Sequence, residues 1–198
     1  MTNYTISTRV HGRGGQGVVT AAELIALAAF YDGKESQAFP FFGVERSGAP
    51  IMAFARVSNN KIKTHEQVYY PDFLIIQDAS LIYDAGILSG VAANTKLLIN
   101  SSQTKEEVFK ELKESSKINK QVLKIKIENI YTTPATSIAI EIIGKNLVNT
   151  VILGALAKHG TLFSLAALKK AVTHKLESKG ASILQKNLAA IDKIYATS

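Results

Sequence analysis

The chain has 198 residues, a formal net charge of +7 and no cysteine, which excludes disulfides and thiolate-bound metal or iron–sulfur sites within it. Hydrophobic residues make up 46% of the chain and charged residues 20%, a balance typical of a folded protein, and the length predicts a single domain over residues 1–198. No apolar run reaches the roughly 18 residues that a membrane span needs, and the first residues lack the pattern of a signal peptide, so we expect a cytoplasmic protein with no membrane partner.

Strand-like and helix-like segments alternate through the first two thirds of the chain. The predicted strands are 4–11, 35–39, 51–57, 62–64, 73–77, 96–100 and 122–127, and the predicted helices are 18–30, 105–115, 135–143, 148–159, 165–175 and 182–195. We expect residues 51–64 to form a hairpin about an Asn59-Asn60 turn. The fold prediction is an α/β three-layer sandwich with a mixed, mostly parallel sheet and a helical C-terminal third.

The segment between the first predicted strand and the first predicted helix is rich in glycine. Its residues are Gly12, Arg13, Gly14, Gly15, Gln16 and Gly17. Such a turn lets a phosphate approach the backbone, because side chains are missing and free N–H groups at the helix start point outwards. We therefore predict that this turn binds a phosphorylated ligand. A tight connection without any ligand is the alternative.

The same glycines match the G-x-G-x-x-G pattern of dinucleotide-binding folds. The second strand, however, ends in residues 37–40 without an acidic residue placed to bind a ribose, which disfavours an NAD or FAD site. No Gly-Lys-Ser or Gly-Lys-Thr follows the glycines, which disfavours an ATP-hydrolysing P-loop.

Residues 37–50 form a second unusual loop. Phe39, Phe41 and Phe42 surround a proline, and Glu45 and Arg46 stand between two glycines. Contiguous aromatic rings beside an arginine are typical of protein–protein contacts, so we predict a partner interface here. The alternatives are a loop that buries its rings against the protein's own core and a surface ion pair of little energetic weight.

Arginine and lysine are distributed differently along the chain. The four arginines all lie in the first 56 residues, and they are Arg9, Arg13, Arg46 and Arg56. The later lysines follow helix-like segments without interleaved stacking aromatics, so we expect a solvated face and no nucleic-acid partner. The confinement of arginine to the glycine-rich half favours a site for an anionic ligand or another subunit there.

Residue types common in catalytic and metal sites are scattered. The four histidines show neither pairing with carboxylates nor metal-ligand spacing, so we predict no catalytic residue and no metal site in this chain. His11 adjoins the glycine turn, where a structural role at the end of a strand is favoured. Asp78 follows a central strand, and we expect it to cap the next helix rather than to act in catalysis.

Three motifs resemble those of a known family. They are GRGGQGVVTAAE (12–23), QAFPFFGVERSGAP (37–50) and NTVILGALAK (149–158). In this order and spacing they are similar to the gamma subunit of pyruvate:ferredoxin oxidoreductase, within the wider family of 2-oxoacid:acceptor oxidoreductase gamma subunits. The likeness covers nearly the whole chain. Val44 and Ser47 depart from the proline and arginine that family members often carry there.

The resemblance implies a reaction in which a 2-oxoacid, coenzyme A and oxidised ferredoxin give acyl-coenzyme A, carbon dioxide and reduced ferredoxin. Pyruvate is the expected substrate, in anaerobic metabolism, with a branched-chain 2-oxoacid as the alternative and flavodoxin as an alternative acceptor. Alpha, beta and delta-type subunits are the expected partners. In this family thiamine diphosphate with Mg carries out the decarboxylation and [4Fe–4S] clusters carry the electrons. The partners would hold these groups, because this chain has no cysteine and no Gly-Asp-Gly motif.

The resemblance also implies a share in the coenzyme A site. Its phosphates are expected at residues 12–17, with Asn149 adding a polar contact from the start of its helix. The isolated chain is expected to be inactive. The alternative is a scaffold subunit of the same complex that binds no ligand of its own.

Overall fold

The structure is a computed structural model that describes residues 3–41, 48–84, 86–114 and 124–198. The strands are β1 (Thr5–Arg13), β2 (Glu35–Pro40), β3 (Pro50–Ser58), β4 (Phe73–Ile76), β5 (Lys96–Asn100) and β6 (Ile130–Thr133). The α-helices are α1 (Val18–Tyr31), α2 (Lys105–Glu114), α3 (Ala135–Ile138), α4 (Val148–His159), α5 (Leu165–Leu176) and α6 (Ala181–Thr197). Short 3₁₀ segments cover Ala79–Tyr83, Ile127–Asn129 and Glu177–Lys179, and a π-helical segment, Ala139–Ile143, continues α3.

Within the described residues the strands form a six-stranded sheet in the order β2-β3-β1-β4-β5-β6. Strands β1, β4, β5 and β6 are parallel, and β3 runs antiparallel to both β1 and β2. The carboxyl ends of the parallel strands therefore meet at one edge of the sheet. The predicted mixed, mostly parallel sheet is confirmed.

Side chains of the central strands alternate between two apolar layers. Val10, Ile75 and Leu98 pack with α1, α4, α5 and α6, whereas Leu74 and Ile99 pack against the 3₁₀ segment 79–83 and α2. Both layers are buried, since period-two alternation places apolar residues on the two faces of each central strand. The result is a helix–sheet–helix sandwich, as the sequence predicts.

Helix α4 lies close to α6 at a glycine. A Cβ atom added to Gly154 would lie 2.5 Å from Ile194 Cγ2 and 2.7 Å from the Ile191 carbonyl oxygen. Only a residue without a side chain permits this approach, so Gly154 fixes the distance between the two helices.

Two predicted strands are wrong. Residues 62–64 form no strand, and β3 instead pairs along its length with β1 and β2, so the hairpin over 51–64 does not exist. In the predicted strand 122–127, residues 122 and 123 lie outside the described residues and 124–127 belong to no strand. The sixth strand is β6, which begins at Ile130.

Across the described ranges, no helix combines the length and the apolar character that a bilayer crossing requires.

Candidate functional site

The glycine turn lies at the carboxyl edge of the sheet, beside the point where the strand order changes direction. The chain leaves β1 towards β2 and β3 on one side, and later returns to β4 on the other side of β1. The crevice at such a switch point is where open α/β sheets usually bind ligands. Because His11 pairs with Ile76, the residues that follow these two strands stand next to each other at this edge.

The turn itself is Gly14 to Gly17, because β1 extends through Gly12 and Arg13, where they pair with Ile51 and Pro50. Gly15 and Gly17 have φ angles of 95° and 69°, a backbone region that residues with a Cβ rarely adopt. The Gly14 N–H donates to the Ala49 carbonyl at 2.9 Å, which ties the turn to the chain before β3. The predicted strand–glycine–helix connection is therefore present, with Gly12 inside the strand.

The amino ends of two helices, α1 and α4, lie at this turn. Gly17 is the N-cap residue of α1, and its carbonyl accepts from the Ala21 N–H at 2.9 Å. Asn149 stands in the first turn of α4, and a Cβ added to Gly17 would lie 2.6 Å from Asn149 Nδ2. The structure thus brings Asn149 against the glycine turn, and its contact with a ligand stays a prediction. Two helix N-termini, each carrying partial positive charge, converge on the same place.

The first turn of α1 offers open donors. Gly15 is exposed, and Gln16 and Gly17 are half-buried. Among the described residues, the N–H groups of Gly15 and Gly17 have no hydrogen-bond partner, and those of the first helical turn have no carbonyl of the same helix to bond. The Asn149 carboxamide likewise makes no hydrogen bond within the part of the chain that is described. This arrangement can bind an anion.

Arg13 and Gln16 hold the turn in shape. The Arg13 guanidinium donates to Asp78 Oδ2 at 3.0 Å, to Ser80 Oγ at 2.8 Å and to the Gly48 carbonyl at 3.2 Å. Gln16 Oε1 accepts from the Arg13 N–H at 2.7 Å, and its Nε2 donates to Asp78 Oδ2 at 3.3 Å. The Arg13 side chain is 38% exposed, so one face of it remains open to solvent.

Asp78 caps the 3₁₀ segment 79–83, as the sequence predicts. Its Oδ1 accepts from the Ser80 N–H at 3.1 Å. Burial by itself would raise the pKa of the Asp78 carboxyl, but hydrogen bonds from Ser80 and Gln16 and the charge of Arg13 outweigh it and hold the pKa below its usual value. Asp78 is thus an anion that positions Arg13, and it carries no proton to donate near neutral pH.

His11 is buried beside the turn and belongs to the interior. It is 2% exposed, and burial together with the nearby Arg9 charge lowers its pKa from 6.5 to about 3. The histidine is therefore neutral, which agrees with the structural role that the sequence favours.

Two further arginines also have structural contacts. Arg9 donates to the carbonyls of Val68, Ile87 and Ser89, and Arg56 donates to those of Glu66 and Gln67. Both arginines are 5% exposed. Neither arginine adds support to the predicted site for an anionic ligand or another subunit, because both hold loops of the chain itself.

The predicted aromatic interface is described only in part. Phe42, Glu45 and Arg46 lie outside the described residues. Phe39 and Phe41 pack on Phe54 of β3, with ring centroids 5.2 Å and 6.4 Å apart from it. Both rings are half-buried and line an open cavity of about 400 Å³. The loop's own sheet therefore covers one side of these rings, and the interface stays a prediction.

Sequence reasoning missed two residues of this edge, Gln77 and Ser80. Gln77 is polar directly after the apolar strand β4, in the same place as Asp78, and that contrast was the available signal. No group of three or more His, Cys, Asp or Glu residues within the described ranges could hold a metal ion.

Comparison with known proteins identifies the family. The chain matches the pyruvate ferredoxin/flavodoxin oxidoreductase family over residues 7–197. The chain belongs to this family. It is 48% identical over 149 residues to the pyruvate synthase subunit PorC of Methanosarcina barkeri, covering 75% of this chain and 74% of that protein. It is 40% identical over 190 residues to the common subunit gamma of pyruvate/ketoisovalerate oxidoreductases of Pyrococcus furiosus, covering 96% and 95%.

A solved structure extends the likeness to the fold. The crystal structure of the pyruvate oxidoreductase subunit PORC of Thermotoga maritima superposes with a TM-score of 0.76 at 30% identity, over 97% of this chain and 96% of that one. The sandwich described above is therefore the fold of this family.

Proposed function

We propose that this chain is the gamma subunit of a pyruvate (2-oxoacid):ferredoxin oxidoreductase and that its glycine turn holds the phosphates of coenzyme A. The observation that supports the ligand site is the convergence of two helix N-termini on a turn with unpartnered N–H groups. Anions bind at such places because backbone donors and helix dipoles act together. The diphosphate and ribose phosphate of coenzyme A supply the negative charge.

The residues of the turn have distinct roles in this proposal. The N–H groups of Gly15 and Gly17 and of the first turn of α1 donate to the phosphates. Gly15 keeps the approach open, since a Cβ placed there would meet nothing of the protein within 4 Å. Arg13 and Gln16 keep the turn in position through Asp78, and the partly exposed Arg13 guanidinium lies at its rim. Asn149 donates from the opposite side.

The rest of the reaction belongs to partner subunits in this proposal. Partners would hold the thiamine diphosphate that supplies decarboxylation of the 2-oxoacid and the [4Fe–4S] clusters that supply electron transfer to ferredoxin. Neither group fits this chain, which has no cysteine for a cluster and no Gly-Asp-Gly motif for a Mg-bound diphosphate. The chain's own contribution is to hold coenzyme A so that its thiol reaches the partner's site.

The 2-oxoacid is proposed to be selected by the partners as well. The relative from Pyrococcus furiosus is a common subunit of pyruvate and ketoisovalerate oxidoreductases. A chain that serves two 2-oxoacids does not distinguish between them. The glycine turn, which is suited to the phosphates of a shared co-substrate, agrees with that division of labour.

A scaffold subunit without a ligand is the second candidate. Phe39 and Phe41 favour it, because they leave a half-exposed aromatic surface beside an open cavity, as expected of a docking site. The two functions are compatible, so the experiment must separate ligand binding from assembly.

A matched pair of substitutions at Gly15 makes that separation. Gly15→Asp places a carboxylate in the phosphate path, and Gly15→Asn has the same shape without the charge; both residue types tolerate a positive φ. We expect Gly15→Asp to weaken coenzyme A binding to the assembled complex at least about tenfold relative to Gly15→Asn, because like charges repel at short range. Isothermal titration measures the dissociation constants. If both variant complexes assemble fully and bind coenzyme A with the dissociation constant of the wild type, the turn is not part of the site and the scaffold function remains.

A further inference from the structure

Gln77 is a buried carboxamide that no protein group satisfies. The residue is 1% exposed, and neither its Oε1 nor its Nε2 has a hydrogen-bond partner. Leaving both ends of a buried amide unpaired is unfavourable, because each group loses its hydrogen bonds to water and gains none in return. An apolar side chain of the same size would avoid this cost, so the presence of a glutamine at this position needs an explanation.

The backbone of Gln77 is fixed on both sides. Its N–H donates to the His11 carbonyl at 2.8 Å, and its carbonyl accepts from Asn100 Nδ2 at 2.8 Å. Asn100 is held in turn by Thr136, whose hydroxyl accepts from the same Nδ2 at 2.8 Å. Only the side chain of Gln77 is therefore left without a defined partner.

That side chain lies beneath the glycine turn, next to Gly12 of β1. A Cβ added to Gly12 would lie 2.6 Å from Val18 Cγ2, 2.9 Å from Gln16 Oε1 and 3.1 Å from Gln77 Oε1. Val18 and Gln16 thus lie over Gly12 together with the Gln77 carboxamide. Gln16 is half-buried and bonds to the Arg13 N–H and to Asp78, so it would have to release both bonds to uncover Gln77, which is fixed at the end of its strand.

We propose that Gln77 is a specificity-determining residue of the glycine-turn site that pairs with a secondary amide of the ligand, after Gln16 has moved aside. This inference rests on the proposed function. A carboxamide with both a donor and an acceptor unpaired is complementary to a group that offers both, and a phosphate offers acceptors alone. The pantetheine arm of coenzyme A carries two secondary amides. Gln77 thereby distinguishes coenzyme A from nucleotides that share its diphosphate.

The test compares coenzyme A with ADP, which has a diphosphate but no amide arm, on the assembled complex. Gln77→Met keeps the length of the side chain and removes both polar atoms. We expect it to weaken coenzyme A binding about tenfold while leaving the ADP constant unchanged, since two neutral hydrogen bonds are lost. Gln103→Leu, beside α2 and away from the turn, is the control and leaves both constants unchanged. Gln77→Leu serves as a second variant.

The Gly15→Asp complex separates this inference from the proposed function. It should weaken coenzyme A and ADP together, because both ligands carry the diphosphate. If Gly15→Asp has this effect and Gln77→Met changes neither constant, or both equally, the role of Gln77 is overturned and the proposed function stands. If Gly15→Asp changes neither constant, the proposed function fails first. The Gln77→Met chain should melt no lower than the wild type; a clear fall would mean that a structural partner such as a buried water satisfies Gln77.

Discussion

Replacing Gly17 by alanine tests the convergence of α1 and α4 on the turn. The new Cβ would lie 2.6 Å from Asn149 Nδ2, 2.9 Å from its Cγ and 3.2 Å from its Cβ. Rotation of the amide cannot relieve all three contacts, because the Asn149 Cβ is fixed by the backbone of α4. The φ of 69° adds a second cost of about 1–2 kcal/mol for any residue with a side chain.

Gly33→Ala supplies the matched control. Gly33 has a φ of 73°, and a Cβ there would meet nothing within 4 Å, so this variant carries the backbone cost alone. Overpacking adds typically about 1–3 kcal/mol, so we expect Gly17→Ala to lower the free energy of unfolding by about 2–5 kcal/mol and Gly33→Ala by about 1–2 kcal/mol. Urea denaturation of the full chain, followed by circular dichroism, measures both.

The double variant Gly17→Ala/Asn149→Ala completes the cycle. Removing the Asn149 Cγ and Nδ2 relieves two of the three contacts and leaves the one with its Cβ at 3.2 Å. The double variant should therefore recover about 1 kcal/mol or more of the free energy of unfolding that Gly17→Ala loses. If Gly17→Ala and Gly33→Ala lose equal free energy and Asn149→Ala recovers none of it, Asn149 does not lie against Gly17. The two helix starts would then not share a site.

Two further outcomes are expected. His11 has a folded pKa of about 3, below the ordinary 6.5, so the unfolded chain binds more protons between these two pH values. The contribution of His11 to the free energy of unfolding is therefore complete above pH 6.5 and should fall towards pH 3 by up to about 1.4 kcal/mol per pH unit. His11→Gln should flatten that slope, whereas His65→Gln, at an exposed position, should leave it in place. Slopes that do not differ between wild type and His11→Gln would show that His11 is protonated without penalty. Phe41→Ser should reduce co-purification of the partner subunits, whereas Phe30→Ser, at a ring 64% exposed on α1, should not. Full recovery of the complex with Phe41→Ser would contradict the docking surface.

Much of the fold follows from local pattern. The apolar run of β4 and the caps and glycines around α4 and α5 are signals contained in a few neighbouring residues, and the structure places those elements within a residue or two of the predicted bounds. The glycine turn is equally local, because it needs a positive φ at Gly15 and Gly17, and glycine adopts it without strain.

The failures involve partners that are distant in the chain. Asn59-Asn60 resembles a hairpin turn, yet β3 finds its neighbours in β1 and β2 on the N-terminal side, and no local residue encodes that choice. Strand β6 has only four residues and lies at the edge of the sheet, so its pattern is too short to be recognised. Long-range pairing decides both cases, since burial against neighbouring strands outweighs local preference.

The candidate site likewise combines local features that the sequence indicates with long-range contacts that it does not. The sequence indicates the glycine turn, and the resemblance indicates Asn149, but neither reveals the salt bridge from Arg13 to Asp78, which joins residues 65 positions apart. Gln77 was missed because an unpaired buried amide is recognisable only when its surroundings are known. A polar residue at the carboxyl end of a buried strand deserves the same scrutiny as an acidic one.

The close approach of α4 to α6 at Gly154 affects the direction of the α4 axis. Gly154 lies five residues beyond Asn149, about 7.5 Å along the helix axis, and its contacts with Ile191 and Ile194 act as a pivot. The tilt of α4 about that pivot sets where its amino end points. Substitutions that add volume between α4 and α6 at Gly154 would therefore shift the amino end of α4 and, with it, the position of Asn149 beside the glycine turn.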